Sequence, residues 1–175
     1  GRELVIINTE TDGLVQMANA LAGRSGIEAI HIVSHGSEGV MTLGLGDIQT
    51  ANLAPEQILA LQTLATVLTE NADILVYACE FAGGEAGLGG MQALAQYTQA
   101  DVAASLFVTG DPALGGNWSL EATVGSIETG SIAPQDWGYL LDEPQAGVAA
   151  QPVREIGTPV AKQTPVVSTS VDRKS

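Results

Sequence analysis

The sequence is poor in three things, and each scarcity narrows its class. It holds a single cysteine, Cys79, in 175 residues, so no internal disulfide can form and a disulfide-stapled secreted scaffold is excluded. A lone cysteine is either a small buried apolar residue or a reactive thiol. Positive charge is nearly as scarce, with six Lys and Arg against 20 Asp and Glu. Arg154, Lys162, Arg173 and Lys174 are balanced by Asp142, Glu143, Glu155 and Asp172. Residues 1–141, with only Arg2 and Arg24 against 16 acids, therefore carry the whole net charge of −14. Such a surface repels phosphate backbones and anionic lipid. Nucleic acid is excluded as a main partner, and cations and basic peptides are better matched; the same charge also serves plain solubility. Long apolar runs are missing too: none reaches the roughly 18 residues of a membrane helix, so no membrane span is expected. Residues 1–7 show no basic region ahead of a long apolar stretch, so no signal peptide is expected. With no initiator Met, the sequence reads as a fragment or processed product of a larger multidomain protein.

What is present suffices for a core. Hydrophobic residues make up 45%, and the length suits one domain rather than two. Glu3–Asn8 is a short β-rich run. Asp12 is a candidate N-cap, after which Leu14, Met17, Ala18 and Leu21 recur at helical spacing until Gly23 and Gly26 end the helix. Glu28–Ser34 reads as a second strand and His35–Gly39 as a turn-rich break, with Val40–Leu45 a short extra strand. Pro55 suits a first helical turn, with Ile58, Leu61, Ala65 and Leu68 as the buried stripe and Asn71 and Ala72 near the end. Asp73–Ala78 is the clearest strand, apolar enough to be covered on both faces. Phe81–Gly90 reads as a Gly-rich loop, Leu88–Thr98 as a third helix, Asp101–Ser105 as a strand and Trp118–Val124 as an edge strand. The order βαβ(β)αβαβ predicts a three-layer α/β domain over residues 1–141, with a mostly parallel sheet and helices on both faces. From Asp142 the chain turns to Pro, Gln, Ala, Val, Thr and Ser without a period, and 142–175 reads as a flexible, disordered Pro-containing linker or tail.

In open parallel sheets, ligands sit beyond the carboxyl ends of the strands. His35 follows one predicted strand and Cys79 ends the next helix-linked one. If those strands are neighbours, a thiol nucleophile and a base share one sheet edge. Gly36 would let a substrate carbonyl approach the backbone without meeting a Cβ. The N–H groups of Gly36 and Cys79 could then form an oxyanion hole.

Ile30-His31-Ile32-Val33-Ser34-His35-Gly36-Ser37 followed by Leu75-Val76-Tyr77-Ala78-Cys79 resembles the His-Gly and strand-end Cys motifs of caspase-like peptidases, whose His stands roughly 50 residues before the Cys; here the separation is 44. Ala100–Ser105 and Leu114–Glu121 extend the likeness, and the four ordered blocks, spanning Glu3 to Ile127, resemble the bacterial DUF4347 domain family. The resemblance implies a caspase-like fold with Cys79 as nucleophile and His35 as general base, acting on a peptide or on its own polypeptide. It also implies a setting near the N-terminus of a large secreted or cell-surface protein, often ahead of adhesin-type repeats. Two departures stand out. Phe81 occupies the place of the Gly that caspases carry two residues after the Cys, and the family's further strand ahead of the Glu3 run is not in this sequence.

Other chemistries fit less well. Ser34 lacks the first Gly of a nucleophile elbow, and no His follows downstream. His31 and His35 in one strand would lie about 13 Å apart, too far for one zinc with bonds near 2 Å. Beyond that, no cofactor is expected, although Asp47, Glu80, Glu85 and Asp111 fall in predicted loops and could offer oxygen ligands to calcium. The rival from a different class is a non-catalytic interaction or structural module of an adhesin, which a buried Cys79 would favour.

Overall fold

The computed structural model describes residues 2–134, 136–141 and, as backbone, 167–173. Nine strands and three helices occur among them: β1 (Arg2–Ile7), α1 (Gly13–Leu21), β2 (Ile27–Val33), β3 (His35–Ser37), β4 (Val40–Leu43), β5 (Gly46–Gln49), α2 (Pro55–Ala65), β6 (Leu68–Tyr77), α3 (Gly84–Thr98), β7 (Asp101–Ala104), β8 (Ala122–Val124) and β9 (Val167–Arg173). The main sheet has six strands in the order β1-β9-β2-β6-β7-β8, and β3, β4 and β5 form a small antiparallel sheet. β2, β6 and β7 pair in parallel, while β9 runs antiparallel to both β1 and β2 and β8 antiparallel to β7. Four of the six strands thus point one way, giving the expected α/β architecture with a mostly parallel sheet.

Helices cover one face of that sheet, not two. The chain takes β1, β2, β6 and β7 in one direction across the sheet, with no reversal of strand order. Right-handed crossovers then drop every helix on the same side. Leu14, Met17, Ala18 and Leu21 of α1, Ala60, Leu61 and Leu64 of α2, and Met91 and Leu94 of α3 share one buried cluster with Ile30, Ile32, Ile74, Val76 and Val102 of the strands. The opposite face buries Ala29, Val33, Leu75, Tyr77 and Cys79 beneath Trp118 and Leu141, with Val108, Leu120, Ile132 and Trp137 packed at the margin. Its covering residues come from the described part of 106–141, largely non-helical chain with a single 3-10 turn at Pro112–Leu114.

Local chemistry explains the helix starts. Asp12 caps α1, its Oδ1 accepting from the N–H groups of Leu14 and Val15 at 2.9 and 3.1 Å, which satisfies donors with no partner inside the helix. Its Oδ2 accepts from Gln57 Nε2 at 2.7 Å, while Gln57 Oε1 accepts from the Ala54 N–H at 2.9 Å. One carboxylate thereby ties the start of α1 to the start of α2. Helix α2 buries Ala60, Leu61 and Leu64 rather than the stripe Ile58, Leu61, Ala65, Leu68. It stops at Ala65, and Leu68 already begins β6.

The Gly-rich stretch expected as a loop is the first half of α3. Gly87 and Gly90 are helical and buried. A Cβ on Gly87 would overlap the Ala82 carbonyl, and one on Gly90 would overlap the Thr50 hydroxyl. These glycines serve close packing rather than turning. The predicted edge strand Trp118–Val124 pairs only over Ala122–Val124. Of the segment read as a tail, residues 142–166 and 174–175 lie outside the described residues, whereas Val167–Arg173 forms β9 between β1 and β2.

Candidate active site

The carboxyl ends of β2 and β6 bring the two predicted reactive residues to corresponding places. The parallel ladder runs Ile30↔Ile74, His31↔Leu75, Ile32↔Val76 and Val33↔Tyr77, and the Ser34 N–H extends it to the Tyr77 carbonyl at 3.1 Å. His35 and Cys79 each stand two residues beyond the last ladder pair. Cys79 packs with Val33 and Tyr77 on the face away from the helices. His35 is half-buried, whereas Cys79 is only 1% exposed.

After Ser34 the chain leaves the main sheet. His35, Gly36 and Ser37 pair with Thr42, Met41 and Val40, so the expected turn-rich break opens as a strand and turns only at Glu38 and Gly39. Alternation of a strand this short is hard to see in sequence, and glycine masks its signal. Gly36 has a packing role: a Cβ there would lie 2.7 Å from the Ala78 Cβ and 2.8 Å from the Val40 carbonyl oxygen. Only glycine lets β3 lie against the residue that precedes Cys79.

Cys79 occupies the second position of a tight turn closed by the Phe81 N–H on the Ala78 carbonyl at 3.1 Å. Glu80 follows with φ +55°, as the third position of a type II turn demands. A glutamate there holds a left-handed conformation that glycine would adopt without strain. The turn is fastened from the side by residues 105–109: the Glu80 N–H reaches the Phe107 carbonyl at 3.1 Å and the Ala82 N–H the Ser105 carbonyl at 2.9 Å. The Thr109 N–H donates to Cys79 Sγ at 3.2 Å, and Cys79 Sγ–H donates to the Thr109 carbonyl at 3.5 Å. A thiol satisfies both contacts. A thiolate would keep the first, which stabilises negative charge, and lose the second. Thr109 itself is held by its hydroxyl on Ser105 Oγ at 2.9 Å. Ser105 ends one of the blocks that resemble the family, whereas Thr109 lies in none of them.

Deeper on the same face, His31 is fully buried and stacks on Tyr77 with ring centroids 5.9 Å apart. The Tyr77 hydroxyl accepts from the Ile132 N–H at 2.8 Å and lies 3.2 Å from His31 Nδ1. The histidine tautomer decides which of the two, hydroxyl or Nδ1, donates in that contact. His31 is thus a packed strand residue that anchors the covering segment.

The surroundings are acidic. Glu38, Glu80 and Glu85 are exposed, and the Glu38 carboxylate lies against Gly83 and Gly84 at the start of α3, where a Cβ on Gly84 would meet its Oε2 at 2.7 Å. A helix N-terminus favours that negative charge. Asp47 is occupied by the Thr42 hydroxyl at 2.7 Å and Asp111 by the Ala113 N–H at 2.8 Å. The four acids considered for calcium form no cluster among the described residues. A cavity of about 400 Å³ bordered by Leu53, Ile58, Gln92, Gln96 and Tyr97 lies elsewhere, between α2 and α3, and no carboxylate, histidine or thiol lines it.

The sequence model of the DUF4347 family, a domain of unknown function, matches residues 1–138. The chain belongs to that family. No curated protein and no solved structure matches it. The DUF4347 match ends three residues before the expected domain limit at 141 and takes in every strand from β1 to β8. Among the described residues, no helix is long and apolar enough to cross a membrane.

Proposed function

We propose that this DUF4347 domain carries a cysteine peptidase site of the caspase type, held shut in the conformation described. The observation that carries the reading is the matched placement of His35 and Cys79 at the ends of neighbouring parallel strands. In the proposed reaction, Cys79 Sγ attacks the scissile carbonyl carbon as its proton passes to His35. The N–H groups of Gly36 and Cys79 receive the oxyanion. Collapse expels the amine, which takes the proton from His35, and water then hydrolyses the thioester to release the acid and restore the thiol. Burial of Cys79 requires the segment at 105–109 to move aside before attack. The exposed carboxylates of Glu38, Glu80 and Glu85 favour a basic residue near the scissile bond by charge complementarity. The substrate is a peptide segment, with the protein's own longer polypeptide a natural candidate, in the setting of a secreted or cell-surface bacterial protein.

One observation favours a second reading, that of a non-catalytic structural or interaction module of an adhesin. The Cys79 sulfur is buried and bonded to the Thr109 backbone, as suits a packing residue. Iodoacetamide labelling across pH, in the wild type and in His35→Ala, separates the two. The peptidase reading expects labelling with a midpoint well below the ordinary thiol value of about 8.5, lost in the variant. Slow labelling that is unchanged by the substitution would make Cys79 a packing residue and leave the adhesin module standing.

A further inference from the structure

A further buried ionisable group lies in the middle of β6, six residues before Cys79. Asp73 lies between Ala72 and Ile74 in β6 and is 1% exposed. Its Oδ2 accepts from the N–H groups of Glu128 and Thr129 at 3.0 and 2.8 Å. Its Oδ1 is buried and has no hydrogen-bond partner. A carboxylate oxygen removed from water with nothing in exchange is costly, so its position calls for a partner.

Two more carboxylates supply the context. Asp101 opens β7 directly opposite Asp73 in the parallel ladder, and Glu128 belongs to the chain that covers this face. One carboxylate oxygen from each of Asp73, Asp101 and Glu128 lies within 4.8 Å of the others. The position of Asp101 is built as well: a side chain on Gly125, whose φ is +86°, would occupy the place of the Asp101 carboxyl. No lysine or arginine occurs in the sequence between Arg24 and Arg154. Arg24 is itself engaged with Glu3.

We infer that Asp73, Asp101 and Glu128 bind a hard divalent cation of the calcium class. Three carboxylates offer oxygen and nothing softer, which suits calcium, magnesium or manganese and not zinc or copper. Calcium fits best, because it tolerates irregular geometry and more ligands, and exposed Glu128 leaves one side open to water. The ion clips the segment at 126–129 to β6 and β7, adding a bond through side chains where Asp73 Oδ2 already holds the backbone. Six residues along β6 separate it from Cys79, roughly 20 Å at strand rise, and the inference does not rest on the peptidase reading.

The test is calcium titration of the EDTA-stripped full chain by isothermal calorimetry, with thermal unfolding in parallel. One saturable site is expected with a dissociation constant in the range of about 10⁻⁵ to 10⁻³ M. Several degrees of stabilisation are expected at about 10 mM calcium, beyond any effect of sodium chloride at equal ionic strength. Glu128→Gln is exposed and keeps its backbone bond to Asp73, so it should stay folded and bind at least about tenfold more weakly; Asp101→Asn should do the same. No saturable binding by the wild type, unchanged affinity in folded Glu128→Gln, or tighter binding of magnesium than of calcium would each overturn the assignment.

Discussion

The two faces of the sheet are built by different rules. The helix face is a single buried apolar cluster to which α1, α2 and α3 all contribute. The other face holds His31, Asp73, Tyr77 and Cys79 beneath largely non-helical chain. Helices satisfy their own backbone and can present an unbroken apolar stripe. Non-helical chain outside a sheet brings N–H and C=O groups that need partners. On this protein those partners are the polar side chains of the sheet: Tyr77 for Ile132, Asp73 for Glu128 and Thr129, and Cys79 for Thr109. The face with the poorer apolar cover is therefore the face that gathers the chemistry.

Three substitutions sharpen that contrast. Leu64→Ala empties a fully packed position under α2 and should cost about 2–5 kcal/mol in a urea titration, as large-to-small core changes do. It should leave Cys79 labelling of the folded state unchanged. A smaller loss, with faster labelling, would mean that the faces are coupled. Tyr77→Phe removes one buried hydroxyl and strands the Ile132 N–H and His31 Nδ1, a loss of about 1–3 kcal/mol. Amide exchange should accelerate at 126–141 and stay slow in α1, whereas acceleration throughout would mean that the cover does not open by itself. Asp12→Ala removes the α1 cap and its link to Gln57. About 1 kcal/mol should be lost, with protection falling at the start of α1 and α2 alone; a larger loss that reached β6 would show the caps holding more than the helix layer.

Much of this was legible in the sequence, and unevenly so. The helix face was the easy half, because Leu14, Met17, Ala18 and Leu21 repeat at helical spacing behind a capping aspartate, and all four are buried. The strand-end positions of His35 and Cys79 were legible for the same reason, since apolar runs mark parallel strands. Gly84–Gly90 was misread because glycine marks both loops and tight helix packing, and the atoms that decide between them, on Thr50 and Ala82, are distant or unpatterned in sequence. The second helix layer was expected from alternation of elements, but strand order, which alternation does not encode, decides the side. Asp73 carried a weak signal, an acid at the head of an apolar run. Its neighbours Asp101 and Glu128 carried none, because register and loop path bring them there.

The place of β9 has a consequence for the order in which the molecule can be assembled. Among the described residues β1 borders β9 alone, and β9 in turn separates β1 from β2. Until Val167–Arg173 arrives, the sheet contains a slot one strand wide, lined on both sides by main-chain donors and acceptors with nothing to pair. β1 thus waits for a strand made far later in the chain. A nascent chain meanwhile offers that slot to any extended segment of suitable length, its own or a neighbour's.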